Sequence, residues 1–506
     1  MVGGPPHVNL IDRAVHRRFE RSARYTDQRL GGAPAYKWLL RYVFPDHWSF
    51  LLGEISLYSF LVLVGTGVFL TLYYIPSAHE VIYHGSYTLL QSETMSEAYR
   101  SVLEISFNVP AGLLFRQVHH WAADVFVASI VLHLIRIFFT GAYRKPRDIN
   151  YYIGLTMLLL AILEGFAGYS LVDDLLSGMG LAIAYGVALS IPFIGGQLTA
   201  SIWGGQFPGT DSFLARLEIV HVLLIPAALA TLIGMHLAII MRQHHSQFPG
   251  PGRKERNVVG TPTWPAYALR AIGLLLAVAA VLFLMGGLIQ INPIWQWGPF
   301  HPYLSENGAQ PDWYIGWLIG ALRLMPNFEP VISGRTVIPN PFWGGAAFPL
   351  VVFAVLYSWP ALERRFTGDR RRHDLLDRPR DRPTRTAIGA GFFSWVVIIF
   401  AVGSTDRLFF RLHVPYNAQI YFWRAGVWVL PVIVFFITRS AARTLKRSDS
   451  HPLRGWQGSI VTRDDDGAVR PLDTSHNGTA AAAQSAPPAG TIPGHDYPEQ
   501  KPDDSS

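Results

Sequence analysis

The chain has 506 residues, of which 50% are hydrophobic and only 15% charged, and its formal net charge is +7. Several apolar runs reach about twenty residues, the length of a bilayer span, which excludes a soluble globular fold. There are no cysteines, so disulfides, thiolate-held iron–sulfur clusters and covalent c-type haem attachment are excluded on this chain.

The N-terminal stretch MVGGPPHVNLIDRAVHRRFERSARY has no apolar signal core, so no cleaved signal peptide is expected. It opens a basic segment with Arg13, Arg17, Arg18, Arg21, Arg24, Arg29, Lys37 and Arg41. Eight spans are predicted, over about 51–74, 115–140, 151–172, 214–241, 268–291, 342–360, 386–403 and 421–438. The shorter stretch GLAIAYGVALSIPFIGGQ (180–197) holds a proline and glycine-rich turns and reads as a surface helical hairpin. Basic residues fill alternate connections: Arg144, Lys145 and Arg147 after span two, Arg242, Arg253, Lys254 and Arg256 after span four, ERRFTGDRRRHDLLDRPRDRPTRT after span six, and Arg439, Arg443, Lys446 and Arg447 after span eight. The connection 173–212 has none. This is the positive-inside pattern, which puts both termini in the cytoplasm and requires an even number of spans. The tail from about Ser448, rich in Ala, Pro, Ser and Asp, cannot bury a core and is expected to be disordered.

Span two contains LLFRQVHHWAADVFVASIVLHLIRIFFTG (113–141), with His119 and His133 fourteen residues apart. Helical geometry returns them to within about 40° of one face and separates them by about 21 Å. Span four repeats the arrangement in LEIVHVLLIPAALATLIGMHLAII, where His221 and His236 are fifteen apart, within about 60° and about 22 Å. Both spans run in the same direction, so His119 and His221 share one depth, and His133 and His236 another. A single histidine in a span is more often a hydrogen-bonded core residue than a ligand. Two matched pairs are poorly explained that way, because ionisable residues in lipid are costly and mark function. Imidazole suits haem iron, so the four make two bis-histidine sites stacked across the bilayer.

Gly53 and Gly67 in span one, and Gly154 and Gly168 in span three, repeat the fourteen-residue spacing. Glycine permits close approach, and such pairs make room for two flat macrocycles, although ordinary helix packing explains either pair alone. Arg116, three before His119, and Arg136, three after His133, fall at haem edges, where propionates need cations. Snorkelling explains their depth but not their symmetry. His120 points about 100° away from His119 and reads as a supporting or packing residue. The fold class is all-α: a polytopic membrane protein whose first four spans form a dihaem four-helix bundle (50–245), followed by a four-span C-terminal part (246–445), between a cytoplasmic segment (1–49) and a tail (446–506).

These residues resemble cytochrome b, the membrane subunit of cytochrome bc1 and b6f complexes. The match is RQVHH…H…R in span two, H…P…H with Pro226 in span four, the glycine pairs, and PDWY at 311–314, similar to the family's PEWY motif and followed by LRLMPN (322–327). It covers about residues 45–440. FPDHWSFLLGEI (44–55), YSLVDDLLSG (169–178), the Arg-rich connection and the extended termini resemble the actinobacterial form, while the fifteen-residue spacing is similar to cytochrome b6. The resemblance implies quinol oxidation near the outer surface, with one electron passing to a Rieske iron–sulfur subunit. The other crosses by way of two b-type haems to a quinone near the inner surface. It also implies menaquinone, a cytochrome c subunit with two haems, a dimeric complex, a supercomplex with a cytochrome oxidase, bound membrane lipid and a bacterial plasma membrane. No nucleic-acid partner is implied.

At the outer site the resemblance makes Asp312 the proton acceptor, one methylene shorter than the family's Glu, with Tyr314 and Tyr169 lining the site. Trp313 and Tyr314 also fit an interfacial aromatic belt. Val172 stands where the family has proline, which leaves the roles of Asp173 and Asp174 open. At the inner site Tyr267 and RQHHSQF (242–248), with His245, fall where the family binds quinone. Ala271 stands where mitochondrial relatives carry Asp, so His244, His245 or Asp46 is expected to donate protons, unless these residues simply face water. Two other readings compete. Other dihaem membrane anchors have fewer spans and lack PDWY. A transporter needs discontinuous helices and central charges, whereas the polar residues here form two layers nearer the surfaces.

Overall fold

The computed structural model describes residues 21–471 apart from 23, 26, 30, 306–310, 411, 451–460 and 464–468. The expectation about the first twenty residues, and most of that about the tail, lie outside the described residues. Residues up to Arg443 form one compact unit and those from Thr444 a second. In the second, Val461–Arg463 pairs antiparallel with Val469–Pro471.

Among the described residues eight helices are long and apolar enough to cross a membrane: Trp48–Thr71, Gly112–Thr140, Asp148–Ser170, Phe213–Gln243, Thr263–Leu288, Trp343–Thr367, Pro383–Gly403 and Tyr416–Arg447. Each predicted span is found. Several outrun their apolar stretch because the helix continues into polar residues, as span eight does through Arg439 and Arg443. An even number of spans puts the segment before span one and the end of span eight on one face, called here the N-terminal face; the other is the far face. The 180–197 stretch forms two short helices, Leu175–Leu189 and Gly195–Trp203, too short to span. The first begins at Asp174, whose side chain and that of Ser177 cap each other's backbone N–H. Span two stops at Gly141, where φ is +65° and the N–H returns to the carbonyls of Ile137 and Phe138, the left-handed exit that glycine takes without strain.

Span one lies against span two, where the Ser56 hydroxyl donates to Ser129 Oγ at 2.8 Å. Span three lies against span four, and span five against spans one and two. At Gly286 a Cβ would stand 2.9 Å from the Val118 nitrogen, so only glycine lets span five come this close to span two. Span four holds a π-helical turn at Val220–Leu224. A π turn inserts one extra residue into the helical repeat. The fifteen residues from His221 to His236 therefore behave in phase as fourteen, and the angle narrows from about 60° to the about 40° of span two.

Midway between the paired positions lies an apolar layer. Phe60, Phe126, Ala161 and Leu229, one from each of the first four spans, are buried together. Phe60 and Phe126 have ring centroids 5.7 Å apart.

On the N-terminal face the basic connections are tied together rather than splayed into water. Arg147 bonds Asp374 at 2.9 Å and the His373 carbonyl at 2.8 Å. Gln247 exchanges backbone bonds with Asp374 and Leu376. Asp377 takes Arg385 at 2.9 Å and Arg144 at 3.0 Å. Burial alone would raise the Asp377 pKa, but Arg385, Arg144 and Arg382 outweigh it and hold the carboxyl below its ordinary value. A depressed carboxylate contributes stability that is present above its unfolded pKa, about 3.9, and is lost as pH falls through the folded value. Removing one partner of such a buried group costs about 3–5 kcal/mol. Asp377→Asn should therefore lower the thermal unfolding midpoint of the detergent-purified protein at pH 7. The gap from the native protein should close as the pH is taken below 4 (about one unfolded carboxyl pKa).

Candidate functional site

The four spans bring the histidines and glycines into register one to one. An ideal Cβ at Gly67 would stand 3.3 Å from His119 Cε1, and one at Gly53 3.4 Å from His133 Cε1. At Gly168 it would stand 2.5 Å from His221 Cε1, and at Gly154 3.9 Å from His236 Cε1. Each histidine ring thus lies against the bare backbone of one glycine, in two layers of two. The far layer is Gly67, His119, Gly168 and His221. The near layer is Gly53, His133, Gly154 and His236.

The His119 and His221 rings face each other with centroids 6.2 Å apart and planes at 81°. A metal ion between two imidazoles, about 2 Å from each nitrogen, would set the rings about this far apart. The second nitrogen of His119 has a hydrogen-bond partner, and that of His221 has a carboxylate within ion-pair distance. His119 Nδ1 is 2.9 Å from Thr66 Oγ1, and His221 Nδ1 is 3.0 Å from Glu164 Oε1. Such contacts orient an imidazole and leave Nε2 for a ligand. Arg116 is buried and Arg136 half-buried, and each has buried guanidinium nitrogens that meet no partner, Nε and Nη2 of Arg116 and Nη2 of Arg136. Their remaining contacts are with neutral groups: Arg116 donates to the Asn292 carbonyl at 3.1 Å, and Arg136 donates from Nε to Ser49 Oγ at 3.4 Å and lies 4.4 Å over the Phe50 ring. Buried cationic nitrogens left without a partner are costly. Together with the imidazole pairs and the bare glycine backbones, they fit a flat, iron-containing, anionic group at each depth.

On the far face Asp312 precedes the helix Trp313–Leu324. Its Oδ1 lies 2.9 Å from His120 Nε2, and its Oδ2 accepts from the Tyr314 hydroxyl at 2.9 Å. Burial alone would raise the Asp312 pKa, but His120 and the Tyr314 hydrogen bond outweigh it and hold the carboxyl below its ordinary value. His120 is therefore more than packing: it fixes Asp312. Gly165 makes this possible, since a Cβ there would stand 2.6 Å from the Tyr314 hydroxyl. Tyr169 is buried with its hydroxyl unpartnered, within electrostatic reach of Asp174 and Asp312. Asp173 and Asp174 close the same region, and burial pushes both up to about 6. Val172 packs into an apolar cluster with Tyr99 and Ile294.

On the N-terminal face Val43–Phe44 pairs with Thr261–Pro262. That pairing lays Phe44 on Tyr267 with centroids 3.8 Å apart and planes at 4°. His245 Nδ1 is 3.3 Å from the Tyr42 hydroxyl, and its ring is 5.1 Å from Phe44. Burial, with Arg147 and Arg136 nearby, pushes His245 down to about 3, so it is neutral at physiological pH. The His244 ring stacks on Tyr42 at 5.7 Å and its carbonyl takes Arg147 at 2.8 Å. Asp46 is exposed and engaged by Arg270 at 3.0 Å and by the Thr261 hydroxyl.

Three acids escaped the sequence reading. Glu54 accepts from the Tyr267 hydroxyl at 2.8 Å, Glu164 supports His221, and Asp124 lies one turn beyond His120 with a buried, unpartnered Oδ1. The signal was present: an acid inside a span is a functional candidate by default.

This geometry defines an α-helical membrane electron carrier with paired histidine sites at two depths. Residues 124–299 match the family model described as cytochrome b (N-terminal)/b6/petB. The chain is 47% identical to the cytochrome bc1 complex cytochrome b subunit of Mycobacterium leprae over 445 residues, covering 88% of this chain and 80% of that one. It is 47% identical to that of Mycobacterium tuberculosis over 461 residues, 91% of this chain and 82% of that one. With the subunit of Streptomyces coelicolor it shares 44% over 445 residues, 88% and 81%. A solved hyperthermophilic respiratory Complex III chain shares the fold, with a TM-score of 0.63 and 22% identity over 82% of this chain and 99% of that one. The chain belongs to the cytochrome b subunit family of the cytochrome bc1 complex. Its activity is that of a quinol–cytochrome c oxidoreductase subunit, and haem b is the family's cofactor.

Proposed function

We propose that this chain holds two b-type haems, one between His119 and His221 and one between His133 and His236, and works in a quinol–cytochrome c reductase that also reduces quinone on its other face. The observation that carries this is the four-fold contact of a histidine ring with a bare glycine backbone, repeated at two depths. When bound, the haems supply a one-electron path between the two depths. Arg116 and Arg136 are the cations for their propionates. Thr66 and Glu164 hold the far-layer imidazoles in the tautomer that leaves Nε2 free.

At the far face Asp312 accepts a proton from the quinol hydroxyl, directly or through one water. His120 and the Tyr314 hydroxyl aim its carboxylate and keep it ionised across the neutral range. Tyr314 and Tyr169 line the quinol pocket. At the N-terminal face Tyr267 and His245, with Phe44 and Tyr42, form the quinone-binding aromatic cluster. The substrate is menaquinol and the partners are a Rieske iron–sulfur subunit and a cytochrome c subunit with two haems, in a dimeric complex joined to a cytochrome oxidase and bound by lipid. The bc1 complex in the relatives' names supports the assembly, and the likeness to the actinobacterial form supports the finer assignments. The arginines gathered on the N-terminal face support a bacterial plasma membrane with both termini in the cytoplasm.

Acid–acetone extraction and pyridine haemochrome analysis should give two non-covalent b haems per chain. His221→Ala and His236→Ala should each halve that number, and potentiometric titration should show a different component missing in each. One haem in the unaltered chain, or the same component lost in both variants, would sink the pairing.

Asp312→Asn should slow quinol-dependent reduction of the far-layer haem while both haem spectra stay intact. General-base contributions are about 10²–10⁴-fold, and parallel water routes reduce the loss. Asp312→Glu should keep most of the rate. Stopped-flow reduction with the opposite site blocked, across pH, is the measurement; an Asn variant as fast as the native protein at every pH removes Asp312 from the mechanism.

A further inference from the structure

Glu54 is used by none of the steps above. It follows Gly53, the residue that lies against His133, so it sits beside the near layer. Its Oε1 accepts from the Tyr267 hydroxyl at 2.8 Å and its Oε2 from the Tyr58 hydroxyl at 3.3 Å. Among the described residues no lysine, arginine or histidine bonds it. A carboxylate inside a span that is paired only with neutral hydroxyls has no structural ion pair to explain it.

Its surroundings say what it can do. Tyr267 stacks beneath Phe44, and Tyr42 and His245 continue the same aromatic cluster. The titratable groups facing Glu54 are Tyr58 on its own helix and Tyr267 on span five, with Tyr42 behind Tyr267. On span two Arg136 is turned onto Phe50 instead. Two other candidates on this face are poorly suited to give a proton inward. Asp46 is exposed and ion-paired with Arg270, and His245 is neutral and buried; Ala271 has no side-chain proton.

We propose that Glu54 is the proton-donating group of the quinone site on the N-terminal face, acting through the Tyr267 hydroxyl. Reducing one quinone takes two electrons, supplied by quinol oxidised at the far face, and two protons, and forms two O–H bonds. With each electron Glu54, protonated beforehand from water on that face, gives its proton to the Tyr267 oxygen as the Tyr267 hydroxyl passes its own to a quinone oxygen. Glu54 is then reprotonated from water on that face, and the step occurs twice per quinone. This rests on the reading of the Tyr267–His245 cluster as a quinone-reducing site.

The test uses the whole purified complex with the far-face site blocked and its near-layer haem pre-reduced. Reoxidation of that haem by 2,3-dimethyl-1,4-naphthoquinone is followed across pH in the native protein, Glu54→Gln and Glu54→Asp. The Gln variant should be at least about tenfold slower near neutral pH, with a flattened pH profile and an unchanged quinone KM. The Asp variant should recover most of the rate. Redox-difference infrared spectra should show a protonated-carboxyl C=O band in the native protein that is absent from Glu54→Gln. A Gln variant with native rate, pH profile and infrared band overturns the proposal. Equal slowing of Gln and Asp with altered haem spectra also overturns it, by assigning Glu54 to packing. If quinone fails to reoxidise the haem in the native protein, the quinone-site reading itself falls, and the proposal with it.

Discussion

The constraint on which the rest depends is the contact between an imidazole and a bare helical backbone. A Cβ would crowd the facing histidine ring at Gly168 and Gly67, and would reach ordinary contact distance at Gly53 and Gly154. At Gly168 even a methyl would fall 2.5 Å from the His221 ring. The contact occurs twice on each pair of helices, so it brings them close at two heights. The fourteen-residue interval keeps both contacts on one side of a straight helix. Span four breaks that interval by one residue and restores the phase with a π turn at Val220–Leu224. The backbone irregularity and the odd spacing are one feature seen from two directions.

Much of this was legible in advance, and for identifiable reasons. Apolar length and alternating basic loops locate spans because lipid tolerates neither free backbone nor charge. The histidine and glycine intervals are visible because helical phase is nearly rigid over fourteen residues. What escaped depended on contacts between distant segments. His120 meets Asp312 across 192 positions, and Glu54 meets Tyr267 across 213. No local pattern encodes those meetings. They are set by how span five crosses span one and by where the far-face loop lands on span two. His120 meets Asp312 while His119 faces His221, in keeping with the roughly 100° between neighbouring helix positions, but its partner was not foreseeable from that phase.

The two faces treat charge differently. On the N-terminal face Arg144, Arg147 and Arg385 are matched by Asp374, Asp377 and Glu363, which links three connections into one framework. Basic residues that read as topology signals in the sequence therefore also act as structural ties. On the far face the acids that are buried or half-buried outnumber the cations beside them. Asp124, Asp173, Asp174 and Asp312 are answered chiefly by His120 and Arg116. A region short of positive charge can take up and release protons, whereas a matched framework resists doing so.

The layer of Phe60, Phe126, Ala161 and Leu229 separates the two histidine depths with side chains that hold no charge, dipole or water-binding group. A transmembrane voltage falls mainly across such a stretch, because nothing within it can polarise to shield the field. The two depths lie about 21 Å apart along the helices in a hydrocarbon core about 30 Å thick, so roughly two-thirds of the voltage acts between them. At 100 mV that is about 1.5 kcal/mol for each electron that crosses. With the proposed haems at both depths, the apolar layer would make transfer between them the step at which the energised membrane pushes back on the enzyme, coupling turnover to membrane voltage.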